Sequence, residues 1–247
     1  MQTSADTFAT LELDNWVPRL AGIMRDGEGS IDFESNVNMH NEENTPFVSF
    51  SLIPARDITL SVSVYDFHTS SIGEFSGDSE FGSLAIQDGD SYDSEISITS
   101  IGWEAAWDTL KPYAKSADTS LTFAPVVGSR WYGVENHLEN TTDGQSIVHN
   151  NSWISIHGGV RVGFYLRTQN LGDPINAISL ESQFVAGLLL GNDGGSMWSV
   201  QAKLAVLFSP TISGHFGYRL QEMNAEDGEY TFDAGIQGLY FGGELRF

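Results

Sequence analysis

Histidine and carboxylate side chains inside otherwise apolar segments are the residues that could do chemistry in this chain. His157 and His215 are of the type that acts as a general base, and Glu181 offers a carboxylate near them. No serine stands in a nucleophile-elbow motif, and no His–Ser or Asp–His cluster occurs where a predicted segment ends. We therefore expect the chain not to be an enzyme, with a hydrolase that uses these histidines as the open alternative.

An acidic run, DGDSYDSE, could bind a metal ion. Carboxylate oxygens are the ligands that Ca²⁺ prefers, which makes Asp88, Asp90, Asp93 and Glu95 a candidate calcium site. The run departs from the EF-hand pattern because Tyr92 occupies the fifth position and the glycine is misplaced. A solvated acidic loop is the alternative interpretation, and we expect no obligatory cofactor. The same reasoning applies to a second cluster, formed by Asp26, Glu28, Asp32 and Glu34.

Apolar residues recur at every second position, and this period of two predicts β-strands. Between Ile154 and Leu166, for example, apolar or glycine residues alternate with a series that contains His157 and Arg161. No stretch has a convincing helical period, and no linker or repeat divides the chain, so residues 1–247 are predicted to form one all-β domain. The ten predicted strands are 8–25, 46–54, 57–68, 92–109, 119–134, 148–167, 175–190, 196–208, 211–223 and 229–247.

The connections between these strands are of two alternating kinds. Short turns at 54–57, 110–118, 168–174 and 209–211 contain Pro, Asp or both, which suit tight turns. The longer connections hold 20 of the 33 acidic residues and no Lys or Arg; they are 26–45, 69–95, 135–150, 191–197 and 223–232. This alternation predicts a closed antiparallel up-and-down barrel of ten strands, or of eight as the alternative, with both termini at the short-turn end.

The polar faces of the strands are predicted to line the interior of this barrel. They are rich in Gly, Ser and Ala and carry single charges, which suits a crowded lumen better than a solvated surface. Charges that are buried must be paired, and a barrel of eight to ten strands is largely filled by its own side chains. We therefore predict an ion-paired plug in the lumen, with a pore lining as the alternative, from Glu104, Arg130, Arg161, Glu181, Lys203, Arg219, Glu244 and Arg246.

Arg19 is assigned to the same polar face. Aromatic residues cluster near the ends of the predicted strands, as they do at membrane interfaces, where one side of the ring is apolar and the other is wet. The apolar faces would then meet lipid. A soluble lipocalin-like binder, with the two faces reversed, remains an alternative. The aromatic set comprises Trp16, Trp103, Trp107, Trp131, Trp153, Trp198, Tyr240, Phe241 and Phe247.

Composition excludes several classes of protein. The net charge of −22 argues against nucleic acid as a partner, because phosphates require basic patches. The absence of cysteine excludes disulfides and thiolate metal sites. No apolar run approaches the ~20 residues that a transmembrane helix needs. The first residues lack the basic and apolar parts of a signal peptide, and we expect the numbering to start on a mature chain with an added Met.

The last nine residues, LYFGGELRF, alternate up to the final position. Phe241, Leu245 and Phe247 in this strand resemble the C-terminal signature of Gram-negative outer-membrane β-barrels. The resemblance implies export through the periplasm, assembly by the barrel assembly machinery, periplasmic termini and acidic loops outside the cell. In a regular strand, Asp233 and Gln237 point to the same face as Phe241, which is expected to meet lipid. Their polar side chains therefore predict a bulge near Gly238 or a strand that rises above the bilayer.

The resemblance to outer-membrane barrels implies a structural or surface-interaction role. Its partners would be outer-membrane lipid and lipopolysaccharide, the latter bridged by divalent cations because the long loops lack Lys and Arg, or an extracellular or membrane protein. The paired Asp residues and Asp–His pair that the outer-membrane proteases need have no counterpart here. A narrow channel for ions or small solutes and a lipid- or peptide-modifying membrane enzyme remain the alternatives.

Overall fold

The computed structural model describes residues 8–55, 57–107, 110–116, 119–168, 175–191 and 193–247. Within these ranges all regular structure is β. No helix of the described chain is long and apolar enough to cross a membrane. Arg56 and most of the turn predicted at 168–174 lie outside the described residues.

The strands are longer at the long-loop end than the sequence pattern predicted, so that much of the predicted loops at 69–95, 135–150 and 223–232 is paired sheet. In chain order, the strands are β1 (Ala9–Asp26), β2 (Gly29–Asp32), β3 (Thr45–Ala55), β4 (Ile58–Glu74), β5 (Ser79–Phe81), β6 (Leu84–Ile86), β7 (Ser91–Trp107), β8 (Leu110–Ser116), β9 (Thr119–Asn140), β10 (Gln145–Arg167), β11 (Ala177–Leu190), β12 (Gly194–Leu207), β13 (Ile212–Asp227) and β14 (Tyr230–Arg246).

Ten of these strands form a closed antiparallel ring. The ring runs β1, β3, β4, β7 and β9 to β14, and β14 pairs with β1 to close it. Closure leaves no free edge, so backbone groups along the ring find partners within the sheet. β2 extends β1, β5 and β6 form a separate small hairpin, and β8 pairs with β9. The prediction of a ten-stranded up-and-down barrel is confirmed.

Both ends of the described chain lie at the short-turn end of the barrel. The amide of Phe8 donates to the carbonyl of Phe247 at 2.8 Å, and the amide of Phe247 donates to the carbonyl of Ala9 at 2.9 Å. An even number of up-and-down strands requires this arrangement, as the alternating turn lengths predicted.

Apolar side chains cover the outside of the barrel. On β10 the outward residues Ile154, Ile156, Val160 and Phe164 are 40–59% exposed, whereas His157 on the opposite face is buried. Soluble barrels have the reverse arrangement, so the lipocalin-like alternative is wrong. A strand needs about 9–11 residues to cross a bilayer, and the apolar outer faces of these strands provide them. The barrel is therefore built to span a membrane.

Four of the sequence assignments of side chains to a face of the barrel need correction. Trp103, Trp131 and Trp198 are exposed on the outer wall, but Trp16, Trp153 and Tyr240 are at most 1% exposed and point inward. Their positions have the parity of the lumen residues, which decides orientation in a strand whose side chains alternate strictly. Arg19 has the opposite parity, so it lies on the exposed outer face, 3.9 Å from Glu34.

The bulge predicted near Gly238 is absent. β14 pairs with both β1 and β13 in an unbroken register through Gly238, which lies opposite Pro18 and Arg219. Asp233 and Gln237 do point outward with Phe241, and Glu222 on β13 lies at the same height. The second interpretation, a strand that rises above the bilayer, stays a prediction. Asp233 and Glu222 would then lie beyond the belt of exposed apolar residues on the outer wall, which we call the apolar belt; Val160, Phe184, Leu239 and Phe241 belong to it.

Loop residues fold into the barrel at its long-loop end. Eight apolar residues of the segments 31–39 and 75–86 are 0–4% exposed and pack with inward residues of the strands; we call them the apolar cap. The Phe33 and Phe232 ring centroids, for example, are 6.0 Å apart. The cap consists of Ile31, Phe33, Val37, Met39, Phe75, Phe81, Leu84 and Ile86.

Gly82 brings the β5–β6 hairpin close to the barrel wall. Its φ is +55°, a region that favours glycine. Its amide donates to the Asp26 carbonyl at 3.2 Å, and a Cβ at this position would collide with the Asp26 carboxylate and with Ile147. The absence of a side chain therefore permits the contact that seats this part of the cap.

Val160→Arg is expected to lower the free energy of unfolding by about 2–4 kcal/mol, because it places a charge against the hydrocarbon core. Ile72→Arg is the matched control: Ile72 also points outward, is 78% exposed and lies beyond the apolar belt, so about 0–1 kcal/mol is expected. Guanidinium unfolding of both variants in lipid vesicles measures the difference. Equal losses at the two positions would contradict the placement of the bilayer.

Candidate functional site

A polar cavity of about 390 Å³ lies in the half of the lumen nearer the short turns. Phe47, Tyr65 and Met197, which pack in the same core cluster as the apolar cap, form its closed end. Toward the short-turn end, the side chains of Glu181 and Arg246 are 35% and 25% exposed. Hydroxyl groups line one wall, contributed by Thr10, Ser49, Ser51, Thr59, Ser61 and Ser63.

The strands at the two sides of this wall carry charges, and one group of them is centred on Asp14. The Asp14 carboxylate lies 2.6 Å from Nε2 of His215 and 3.5 Å from Nη2 of Arg219. The Asp14 and His215 side chains have no exposed surface, so this pair is fully removed from water. Asp14 on β1 and His215 and Arg219 on β13 all point inward. Because β1 and β13 lie on either side of β14, the three side chains meet in the lumen.

A chain of ion pairs continues from this group toward the short-turn end. Lys203 donates to Glu12 at 2.9 Å and lies 3.8 Å from Glu244, which in turn accepts a hydrogen bond from Arg246 at 2.5 Å. Glu12 is also 3.5 Å from His215. Each of these carboxylates therefore has a cation beside it, as buried charges require.

A second group surrounds Glu104 on β7. Its carboxylate accepts a hydrogen bond from Gln183 at 2.9 Å, lies 3.5 Å from Nε2 of His157 and is 4.0 Å from Arg161. Arg161 also donates to Gln183 and lies 3.9 Å from Glu181. The sequence predicted these charges as one network, and the structure places them in two groups that face the same cavity.

Arg130 differs from the other predicted lumen charges because its hydrogen bonds go to neutral groups. Its guanidinium donates to Ser100 at 3.0 Å and to Ser63 at 2.5 Å, and it lies 5.8 Å from the Tyr65 ring centroid. No carboxylate of the described chain lies within 4.0 Å of it. Paired charges thus line the lumen but leave a cavity between them, which differs from the predicted ion-paired plug.

Glu12 and Asp14 are central to the site, but the sequence analysis did not select them. The signal was present, because they alternate with Leu11, Leu13 and Asn15 in LELDNW. Applying the period of two strictly from Thr10 onward would have placed both in the lumen.

Glu12, Asp14 and His215 form the group of acidic and histidine residues in the described chain whose ligand atoms converge, within 4.8 Å of one another. Lys203 and Arg219 already contact the same carboxylates. Two cations at these oxygens would oppose the binding of a divalent metal ion, so the cluster suits internal ion pairing better than metal coordination.

The four predicted calcium ligands do not converge in this way. Asp88 accepts a hydrogen bond from the amide of Gly77, and Asp90 accepts from the Gln87 amide and from Asn140. These hydrogen bonds lower the pKa of the Asp90 carboxyl, the Gln87 amide being the main cause. Asp93 and Glu95 lie instead on the outer face of β7. Asp88 and Asp90 are therefore engaged by loop amides and by the Asn140 side chain of β9.

Ser155, His157 and Glu104 lie in the order of a hydrolytic relay. Ser155 Oγ is 3.1 Å from Nδ1 of His157, whose Nε2 faces Glu104 at 3.5 Å. His157 and Glu104 line the cavity, but Ser155 does not and has no exposed surface. A molecule in the cavity would meet the base without meeting the hydroxyl, so this geometry does not present a nucleophile.

No protein-family model and no curated protein matches the chain. Among solved structures it is similar to the outer membrane protease OmpT of Escherichia coli, with 7% identity, a TM-score of 0.47, and coverage of 100% of this chain and 99% of that one. It is also similar to Ail, the attachment invasion locus protein of Yersinia pestis, with 10% identity, a TM-score of 0.35 and coverage of 97% and 99%.

A third similar structure is the translocator domain of autotransporter NalP from Neisseria meningitidis, with 10% identity, a TM-score of 0.42 and coverage of 98% and 89%. These values assign no activity, so the function is argued from the residues of this chain. Its strands close into a ring, apolar side chains face outward, and ion pairs face the lumen. The chain is a closed ten-stranded antiparallel β-barrel whose apolar outer wall suits a membrane.

Proposed function

We propose that this protein is a non-conducting barrel of the bacterial outer membrane with a structural or surface-interaction role. The observation that carries the proposal is the apolar cap, whose eight side chains are buried among inward residues of the strands. In the proposed orientation, the short turns and both termini face the periplasm, and the long acidic loops lie outside the cell.

An ion moving along the lumen would have to pass the apolar cap. The polar cavity offers charged partners in the lower half, but above Phe47 and Tyr65 the lumen residues are largely apolar. Transfer of an ion from water into such surroundings costs several kcal/mol or more even after relaxation. A narrow channel is therefore the weaker candidate as long as the cap stays seated.

The acidic end supports the surface-interaction part of the proposal. Strands β9 and β10 continue to Asn140 and Gln145, and β13 and β14 to Asp227 and Tyr230, beyond the apolar belt. Partners of suitable chemistry are lipopolysaccharide bridged by divalent cations and a protein with a basic surface, since direct phosphate binding needs cations that these loops lack. No enzymatic activity is part of the proposal.

Assembly through the barrel machinery is also part of the proposal. Phe241, Leu245 and Phe247, the residues of the predicted C-terminal signal, are 57%, 42% and 63% exposed on the outer face of the barrel. Their position makes them accessible to a second protein before lipid covers them.

Conductance measurement in planar bilayers tests the non-conducting role. The purified protein is expected to insert without producing stable open steps, while an open porin reconstituted in parallel shows them. A gel that compares heated and unheated samples confirms that the inserted protein is folded. Stable unitary steps from the folded wild-type barrel would replace the proposal with the channel alternative.

A further inference from the structure

The charge balance of the cavity differs from that of the chain. The whole protein has 11 basic and 33 acidic residues. Five of these basic residues but only four acidic ones line the cavity among the described residues. An acidic protein has thus concentrated its scarce cations around one enclosed space, which favours a negatively charged ligand there.

Three of the five cations are matched by carboxylates. Lys203 pairs with Glu12, Arg246 pairs with Glu244, and Arg161 lies within 4.0 Å of Glu104 and Glu181. These pairs neutralise one another locally, so their cations have little capacity left for an added anion.

Arg130 and Arg219, at the closed end, are not matched in this way. Arg130 has only the serine hydroxyls described above as hydrogen-bond partners. Glu104, the carboxylate that it attracts, lies beyond 4.0 Å and already contacts His157 and Gln183. Arg219 donates through Nε to Gln201 at 3.2 Å and through Nη2 to Asp14 at 3.5 Å, and its Nη1 has no hydrogen-bond partner. Asp14 is shared with His215, which leaves the Arg219 charge only partly compensated.

Aromatic rings hold these two guanidinium groups in place. Arg219 lies 3.7 Å from the Phe47 ring centroid and 4.7 Å from that of Tyr240, while Arg130 lies over Tyr65. The Phe47 and Tyr65 rings stack on each other with centroids 6.3 Å apart. Each cation therefore contacts one ring of this stacked pair at the end of the cavity, and Arg219 is only 7% exposed.

We propose that the closed end of the lumen cavity binds the oxyanion group of a small ligand, a carboxylate or a phosphate, between Arg219 and Arg130. A planar guanidinium with a free N–H is the group that recognises such oxygens best, and it is strongest where water is excluded. The serine hydroxyls of the adjacent wall supply further donors to the same oxygens.

The remainder of the ligand is polar and small. At about 30 Å³ per water, the cavity of 390 Å³ corresponds to roughly a dozen water molecules, near the lower end of the range for small-molecule sites. The Ser49, Ser51 and Ser61 wall suits hydroxyl or amide groups. Glu181 and Glu244 toward the short-turn end disfavour a second anionic group. The ligand therefore carries one oxyanion and an uncharged polar body.

Titration calorimetry of the folded barrel in detergent, with inorganic phosphate in one arm and acetate in the other, tests this site. At least one of the two anions is expected to bind the wild type saturably with a stoichiometry of one. Arg219→Gln and Arg130→Gln are each expected to weaken that binding tenfold or more. Arg19→Gln makes the same charge change on the outer wall and is expected to leave binding unchanged.

Folding of each variant is checked by the heated and unheated gel. If Arg219→Gln does not fold, Arg130→Gln decides, because glutamine can still donate to the serine hydroxyls that Arg130 contacts. Absence of saturable binding of both anions to the wild type would overturn the proposal. Unchanged binding in the folded lumen variants, or an equal loss in Arg19→Gln, would overturn it as well.

Discussion

Asp14→Ala is expected to lower the free energy of unfolding by about 3–5 kcal/mol, the range for removing one partner of a buried ion pair. Asp14 is the only described carboxylate within 4.0 Å of Arg219, and its Oδ1 also lies 2.6 Å from Nε2 of His215. Without it, the Arg219 guanidinium stays buried against aromatic rings with no carboxylate of the described chain within 4.0 Å. The lost attraction is much smaller than the cost of leaving that charge unpaired.

Guanidinium unfolding followed by tryptophan fluorescence measures the effect of Asp14→Ala. The control is Glu34→Ala, which breaks the Arg19–Glu34 pair, where both side chains are 45% exposed and 3.9 Å apart. A solvated pair of this kind contributes about 0–1 kcal/mol. If the two variants lose the same stability, the lumen is hydrated enough to screen its charges, and the buried-pair account is wrong.

Leu84→Asp is expected to displace the apolar cap and open the lumen. Leu84 is 2% exposed in the β5–β6 hairpin and belongs to the core at the long-loop end. A carboxylate there would be buried without a cation, at a cost of several kcal/mol. The hairpin has few contacts of its own, so we expect it to leave the core while the ten-stranded ring stays closed.

The opening has two readouts, which are conductance steps in planar bilayers and cleavage of residues 75–90 by proteinase K. Ala85→Asp is the matched control, because Ala85 is the exposed neighbour of Leu84 in the same strand. That variant is expected to remain closed and resistant. Closed, uncleaved Leu84→Asp protein with a normal fold would show that the cap is not the barrier in the lumen.

The cap and the cavity divide the lumen into two chemical halves. The long-loop half is filled by apolar side chains from strands and loops together, and the short-turn half holds the charges. The contact of Asp26 with His149, 3.1 Å apart, is an exception at the loop end, where the His149 ring stacks 4.3 Å from that of Tyr230. The sequence-based expectation of no Asp–His cluster at the end of a predicted strand is wrong here. Stability therefore depends mainly on packing at the loop end and on charge pairing at the other end.

Strand number and orientation were predictable because both follow from local pattern. The period of two in β10 placed Ile154 and Phe164 outside and His157 inside, as the structure shows. The same alternation predicts that Trp16 and Tyr240 point inward, but their aromatic character suggested the membrane interface instead. Residue type indicates an average preference, whereas strand parity fixes the direction of an individual side chain.

The cap was not predictable from the same pattern. Ile31, Phe33 and Leu84 lie in segments whose acidity indicated solvated loops, and nothing local shows that their apolar residues turn into the barrel. Phe33 packs on Phe232, about two hundred residues away in the chain. Contacts of that separation depend on how the ring closes and on how the loops cross its mouth.

The sequence by itself determined a ten-stranded ring with an apolar exterior and an ionic interior, since alternation and turn length act between neighbouring residues and strands. Only the tertiary structure decided which charges meet. Asp14 and His215 are 201 positions apart, and their contact depends on closure of β14 against β1. The depth at which the apolar cap ends and the cavity begins also follows from that closure, because it sets the heights of all inward side chains relative to one another.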